Sequence, residues 1–440
     1  MNRTREPLLP MLCHWITVVA HALPRRSVPT LIELVVGALL RRRGWVTAAY
    51  LAMAAQRHWT SYYKGLQRGH GSWRRVGQSL AGLLRCSFQR RGWSLVGDDA
   101  ITCRAAPQAP SRGRPHHPSR QVNRPRLLPG QCWVLLAAVL SRGRRDGRAM
   151  PVLARLQRTV GTRSQLRAAG VLLRAVGAIV QDCPVRVLWD CGYRRCKVIQ
   201  YAQAWGFAVS GQVRRDPALD ALPMEGVVVG GQRRRGRPRV DGLKSTPAPG
   251  AVLPECRGRR WLSGQGPWLR SRRAPVKVRF LQGQGVRVVW VQFEAEAGPL
   301  STRRRRLATE ADRRPEGILK ADAWRWPIEP LVNQLRQGWG WLEVWQQRRQ
   351  GLTRWGQIRF VADALAPLLV LKGGDHLAAV THLTPWRQGR PITAGLVRLA
   401  LPRRLSHVNR RAWWDPTSRK FQPPAAAEET GSGLPLAQAA

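Results

Sequence analysis

Asp98, Asp190 and Glu329 are the residues of this chain best placed to do chemistry. Carboxylates are scarce here: 25 Asp and Glu stand against 74 Lys and Arg in 440 residues. Two of the three close short apolar runs, Trp93-Ser94-Leu95-Val96-Gly97-Asp98 and Val185-Arg186-Val187-Leu188-Trp189-Asp190. The third follows Trp324-Arg325-Trp326-Pro327-Ile328, where a helix is expected to begin. Carboxylates are hard oxygen donors, which suit Mg²⁺ or Mn²⁺ rather than zinc. Set in a protein this basic, they point to metal ions held beside a phosphate backbone.

The bulk composition agrees. The formal net charge is +49 and the hydrophobic fraction 44%, so a folded chain with a core must also carry a strong positive field. Such a field attracts nucleic acid or anionic membrane and argues against an enzyme for small neutral substrates. No stretch reaches the ~18 consecutive apolar residues of a transmembrane helix. The first ten residues carry charge but no signal-peptide core before Cys13-His14, so a cytoplasmic protein with no membrane partner is expected. The eight cysteines (13, 86, 103, 132, 183, 191, 196 and 256) form no Cys-x-x-Cys pair, which argues against a zinc module and fits reduced thiols.

The acids need elements to position them, and the patterning supplies a candidate set. Residues 1–90 read as a helical, basic DNA-binding region, with helices over 30–40, 46–56 and 72–88. A strand ends at Asp98, and a Pro/Arg/His-rich loop covers 105–129. Strands follow at 132–140 and 149–156, then a helix over 164–179. The strand Val185–Asp190, a helix over 194–205 and a strand over 207–213 complete the series. The order β-β-β-α-β-α-β is ribonuclease-H-like, an α/β class with a mixed sheet, α+β when the whole chain is counted. In that order the first and fourth strands are neighbours, so Asp98 and Asp190 project side by side. Residues 214–318 read as a β-rich insertion, with a hairpin of 276–280 and 286–293 around the turn 282–285. Helices resume from about 327. The five segments are thus 1–90, 91–213, 214–318, 319–375 and a basic 376–440, whose end beyond Pro423 reads as disordered.

Taken together, Val96-Gly97-Asp98-Asp99-Ala100, Val187-Leu188-Trp189-Asp190-Cys191-Gly192-Tyr193 and Arg325-Trp326-Pro327-Ile328-Glu329 resemble the DDE-type transposases of bacterial insertion sequences. The likeness is to the subgroup with a β-rich insertion between the second Asp and the Glu. It includes Gly211-Gln212-Val213-Arg214-Arg215-Asp216 and Gly236-Arg237-Pro238, and covers about residues 20–375. The resemblance implies that Asp98, Asp190 and Glu329 hold two Mg²⁺ or Mn²⁺ ions about 3.5–4 Å apart for phosphoryl transfer. It further implies a DNA transposase that binds terminal inverted repeats, cleaves phosphodiester bonds and joins the ends to target DNA. The partner is double-stranded DNA, synapsed by a homodimer, in the nucleoid of a bacterial cytoplasm. The alternative is a decayed copy that only binds DNA.

Counting from Glu329, the family's Arg falls on Arg325 and its Lys position on Arg336. On an ideal helix, offsets of −4 and +7 put both within roughly 40° of Glu329, ready to grip phosphate. Pro327 suits the first helical position, and Pro330 is tolerated only within the first turn. Four positions depart from the family pattern: Asp322 for Tyr, Ala100 for Thr, Arg336 for Lys and Pro330 for a better helix former. Asp99 competes with Asp98, because alternation sends neighbouring side chains to opposite faces and only one can be a ligand; alignment with the family's Asp-x-Thr favours Asp98. Arg235-Gly236-Arg237-Pro238 resembles the core of an AT-hook that enters a minor groove, against the simpler reading of a solvated basic loop. Trp261, Trp268 and Trp290 are candidates for stacking on a flipped base, although most tryptophans are core residues. His14, His58, His116 and His117 have no spacing for a general base or a zinc site.

Overall fold

The structure is a computed structural model of the chain. It describes residues 8–53, 55, 57–88, 92–115, 127–141, 147–193, 196–213, 219–221, 269–278, 281, 285–293, 304–310, 313–374, 377, 391–405 and 413–422. Arg235, Arg237, Trp261, Trp268, His116, His117 and the tail beyond Pro423 lie outside the described residues.

The chain is a mixed α/β protein with a helical N-terminal region. Helices α1 (Leu8–Ala20), α2 (Val28–Leu40), α3 (Val46–Leu51), α4 (Trp59–Arg68) and α5 (Trp73–Ser87) come first. Helix α5 starts where Ser72 Oγ accepts from the Arg75 amide at 3.4 Å, a side-chain N-cap. The single helix expected over 46–56 is shorter, ending at Leu51, and α4 follows as a separate helix.

Strands β1 (Trp93–Cys103), β2 (Gly130–Ser141) and β3 (Gly147–Leu156) form an antiparallel meander. Helix α6 (Thr162–Val180) leads to β4 (Val185–Trp189), which pairs parallel with β1, and α7 (Cys196–Gln203) leads to β5 (Ala208–Gln212), parallel to β4. The order β3-β2-β1-β4-β5 is the ribonuclease-H-like arrangement expected from the pattern. One boundary differs: β1 does not end at Asp98 but continues to Cys103, because β2 extends alongside it and supplies ladder partners through Gly130. The consecutive Asp98-Asp99 pair interrupts the apolar alternation and hides that continuation.

The stretch beyond β5 adds β6 (Leu219–Ala221), β7 (Leu269–Val278), β8 (Gly285–Phe293) and β9 (Arg304–Ala308). The hairpin of β7 and β8 is present, and β9 pairs antiparallel with both β8 and β5. Among the described residues these strands therefore prolong the core sheet to nine strands, in the order β3-β2-β1-β4-β5-β9-β8-β7-β6. Trp290 lies inside this extension with 0% of its surface exposed, so it is a core residue and cannot stack on an extruded base.

Helices resume earlier than expected, with α8 (Pro315–Ala323), followed by α9 (Ile328–Asn333) and α10 (Arg349–Lys372). Helix α10 is buried along most of its length, between the N-terminal helices and β3. At the free edge of β3 its Gln357 side chain replaces a missing strand: Nε2 donates to Val152 O at 2.9 Å and Oε1 accepts from the Ala154 amide at 3.4 Å. This pairs edge groups that would otherwise be buried unbonded. Arg359, also on α10, donates to Arg41 O at 3.2 Å and Arg42 O at 2.9 Å, and Trp355 Nε1 donates to Gly44 O at 2.6 Å. The α2–α3 loop is thereby fixed to the core, and one apolar cluster runs from Leu8 to Phe421.

The region expected to be a basic extension is folded where it is described. Helix α11 (Ala394–Leu405) packs on α10 and α2, and the hairpin β10 (Trp414–Asp415) with β11 (Lys420–Phe421) docks on α1 through the Phe421 amide to Thr17 Oγ1, 3.0 Å. No helix among the described residues is long and apolar enough to cross a membrane.

Candidate active site

The site is built on the junction of β1 and β4. Their parallel register ends at Gly97 opposite Trp189, so the next residues, Asp98 and Asp190, lie where β4 leaves the sheet and β1 continues. Gly97 is required by this closeness: a Cβ there would lie 1.8 Å from Cζ3 of Trp189, whose ring covers the glycine. Trp189 stacks on Tyr193 with centroids 4.5 Å apart, and both are buried. The two rings form an apolar floor beneath the loop that carries Asp190.

Alternation along β1 separates the adjacent acids. Asp98 shares its face with Ala100, whose register partner Trp133 packs on Trp341 at 5.4 Å, on the α10 side. Asp99 turns to the other face, where its Oδ1 accepts from Gln165 Nε2, in the first turn of α6, at 3.3 Å. Burial, then the Asp99 and Asp190 charges, push the Asp98 carboxyl up to about 7, opposed by the Asp99 amide at 2.8 Å and by Arg325. Asp99 is raised too, first by burial and then by Asp190, against Gln165 and Arg336. Three carboxylates thus crowd the end of β4, and Asp98 and Asp99 are easier to ionise if a cation arrives.

Glu329 sits in the first turn of α9, as the sequence suggests, with Pro327 just ahead of the helix. Its Oε1 is 3.2 Å from Arg325 Nη2; the Arg325 side chain is largely buried and the glutamate side chain 44% exposed. Arg325 also favours the ionised form of Asp98, so its charge is felt by both carboxylates. Helix α9 ends at Asn333 and continues as a π-helical turn, Gln334–Gly338, which breaks the 100° step assumed for an ideal helix. Arg336 donates to Ile101 O on β1 at 3.2 Å. Gln334 ties the π turn to α10 through Asp363 Oδ1 at 2.7 Å. Asp322, at the family's Tyr position, pairs with Arg306 at 2.7 Å and joins α8 to β9.

The structure therefore brings Asp98, Asp99 and Asp190 together and places Arg325 and Glu329 beside them. Among the described residues no group of three His, Cys, Asp or Glu side chains converges on a single metal position. The donor chemistry of Asp98 and Asp190, anionic oxygens crowded in a partly buried place, nonetheless fits a hard divalent cation. Gln165 and Tyr193 were not legible as parts of the site. Tyr193 closes the motif around Asp190 without any sign of its stacking on Trp189, and Gln165 lies far away in sequence and carries no local signal. No protein-family model matches the chain, and no curated protein matches it.

Proposed function

We propose that the chain is a DNA-cutting and DNA-joining enzyme of the DDE transposase kind, in which Asp98, Asp190 and Glu329 hold divalent metal ions. The observation that carries the reading is the crowding of acids at the β1–β4 junction of a ribonuclease-H-like sheet, inside a chain of net charge +49. Bound Mg²⁺ or Mn²⁺ would supply Lewis-acid activation of the attacking and leaving oxygens of a phosphodiester. The residues themselves do the rest. Asp98 and Asp190 offer oxygens from two adjacent strands. Glu329 completes the set once its carboxylate leaves Arg325, whose guanidinium is then free to grip a phosphate oxygen. Trp189 and Tyr193 hold the Asp190 loop against the sheet. Arg336 supports the far end of β1, and Arg235 and Arg237 supply contacts to the groove. The partner is double-stranded DNA bound by a homodimer, in the bacterial cytoplasm.

A second reading, a decayed copy that binds DNA without cutting it, is favoured by one observation: the Arg325–Glu329 pair occupies the carboxylate that the metal set needs. Incubating the chain with Mg²⁺ or Mn²⁺ and DNA bearing candidate terminal repeats separates the two. Metal-dependent nicks, and joined products with a target plasmid, support the enzyme; DNA binding without any nick supports the decayed copy.

A further inference from the structure

Buried arginines in this fold are usually satisfied by carbonyl oxygens. Arg104 donates to Leu342 O at 2.6 Å and to Val344 O at 2.7 Å, and Arg354 to Gly71 O and Leu66 O at 2.9 Å each. Arg155 on β3 and Arg349 at the start of α10, both half-buried like Arg354, have fewer carbonyl partners. Arg349 uses one nitrogen on Leu156 O at 2.9 Å, and its buried Nε has no partner. Arg155 lies 5.9 Å from the Trp73 ring. No ion pair among the described residues includes either arginine.

Both line a cavity of about 520 Å³, shared with His70, Trp73, Thr353 and Arg354 and with no Asp or Glu in its wall. Burial and repulsion from Arg349, Arg158 and Arg74 lower Arg155, and burial with Arg158 lowers Arg349. Two long helices begin at this cavity, α5 at Trp73 and α10 at Arg349, and neither has an acidic residue in its first turn. Their unpaired N–H groups and positive dipole ends add to the same sign. A wall of this kind is repulsive to itself and complementary to an oxyanion.

Its place gives the anion a context. Asp99, Val134 and Arg155 occupy one register row across β1, β2 and β3, which sets Arg155 two strand spacings, about 10 Å, from Asp99, on the face of the sheet opposite Asp98. We propose that this cavity is a phosphate-ester site that holds a backbone phosphate of the bound DNA two strands from the carboxylates. The proposal rests on the transposase reading for its source of phosphate. The recognition chemistry, guanidinium and helix N–H groups on a phosphate oxyanion, serves a free phosphate equally.

The test uses the full chain and the double variant Arg155→Gln/Arg349→Gln. Binding of fluorescent double-stranded DNA is measured by anisotropy over a salt series without metal. The variant should lose about one unit from the slope of log K against log salt and bind roughly tenfold more weakly near physiological salt. Arg174→Gln, an exposed arginine on α6, should lose far less. Thermal unfolding guards against a folding artefact. The ligand-free variant should melt no lower than the wild type, since mutual repulsion has been removed, and inorganic phosphate should raise the wild type but not the variant.

An unchanged slope together with no phosphate effect overturns the site. A variant that melts well below the wild type makes these arginines structural and also overturns it. Stabilisation by inorganic phosphate with an unchanged DNA slope overturns the DNA assignment in favour of free phosphate. A wild-type chain that binds no DNA at all sinks the transposase reading instead, and the phosphate arm then decides the site alone.

Discussion

Two places on the same sheet gather like charges, and they carry opposite signs. At the β1–β4 junction Asp98, Asp99 and Asp190 crowd one another, and burial with repulsion drives Asp98 up to about 7. At the β3 edge Arg155 and Arg349 crowd in the same way and are driven down. Other charges among the described residues are paired: Arg186 with Glu310 at 2.7 Å, and Arg306 with Asp322 at 2.7 Å. Clusters of one sign are costly to fold, and a bound ion of the opposite sign would relieve each of them. One cluster calls for a cation and the other for an anion, about 10 Å apart along a row of the sheet. A nucleic-acid phosphate and a divalent metal are a pair that meets both demands.

The largest way to break this comparison is to remove an acid. Asp190→Asn should abolish metal-dependent nicking, a loss on the order of a thousandfold or more in gel assays, while DNA binding persists. Retained nicking would show that the acids are crowded for some other reason. Next comes Gly97→Ala, which puts a methyl group 1.8 Å from the Trp189 ring. Chemical denaturation should register about 1–3 kcal/mol of lost stability, with nicking lost in the same variant because the Asp190 loop shifts.

These first two sites also show what the sequence made legible. The apolar run ending at Asp190 and the alternation in 286–293 each reported a real strand, because burial on one or both faces writes itself into residue type. Helix α8 was not legible, since Glu316, Gly317, Lys320 and Asp322 leave its nine residues little apolar periodicity. The π turn after α9 left no mark either, and neither did the hydrogen bond from Arg336, which lies in it, to Ile101 O. The arginine cluster was invisible for another reason: His70, Arg155 and Arg349 come from segments far apart in the chain and meet only in the fold.

The acid cluster should also be seen in pH. Asp98 has a folded value of about 7 against an ordinary 3.8, so between those values the folded state holds a proton that the unfolded state has released. Stability of the metal-free protein should therefore fall as pH rises from about 4 to about 7 and level off above that, a loss on the order of 4 kcal/mol from this group. Asp98→Asn should flatten the profile, and Mg²⁺ should recover part of the loss in the wild type. A profile that is already flat without metal would remove the electrostatic half of the comparison. The smallest effect belongs to Arg325→Gln, which frees Glu329. Stability should change by no more than about 0.5 kcal/mol, while the Mg²⁺ concentration needed for half-maximal stabilisation should drop. An unchanged Mg²⁺ requirement would show that the pair does not hold Glu329 back.

The account stands most directly on one assay. The purified chain is incubated with a supercoiled plasmid carrying candidate inverted repeats, with Mg²⁺, with Mn²⁺, and with a chelator. Nicked or joined products that appear with metal, vanish with the chelator and are missing from the Asp190→Asn variant are the predicted result. Intact plasmid in every lane, from a chain that still binds the DNA, would contradict it.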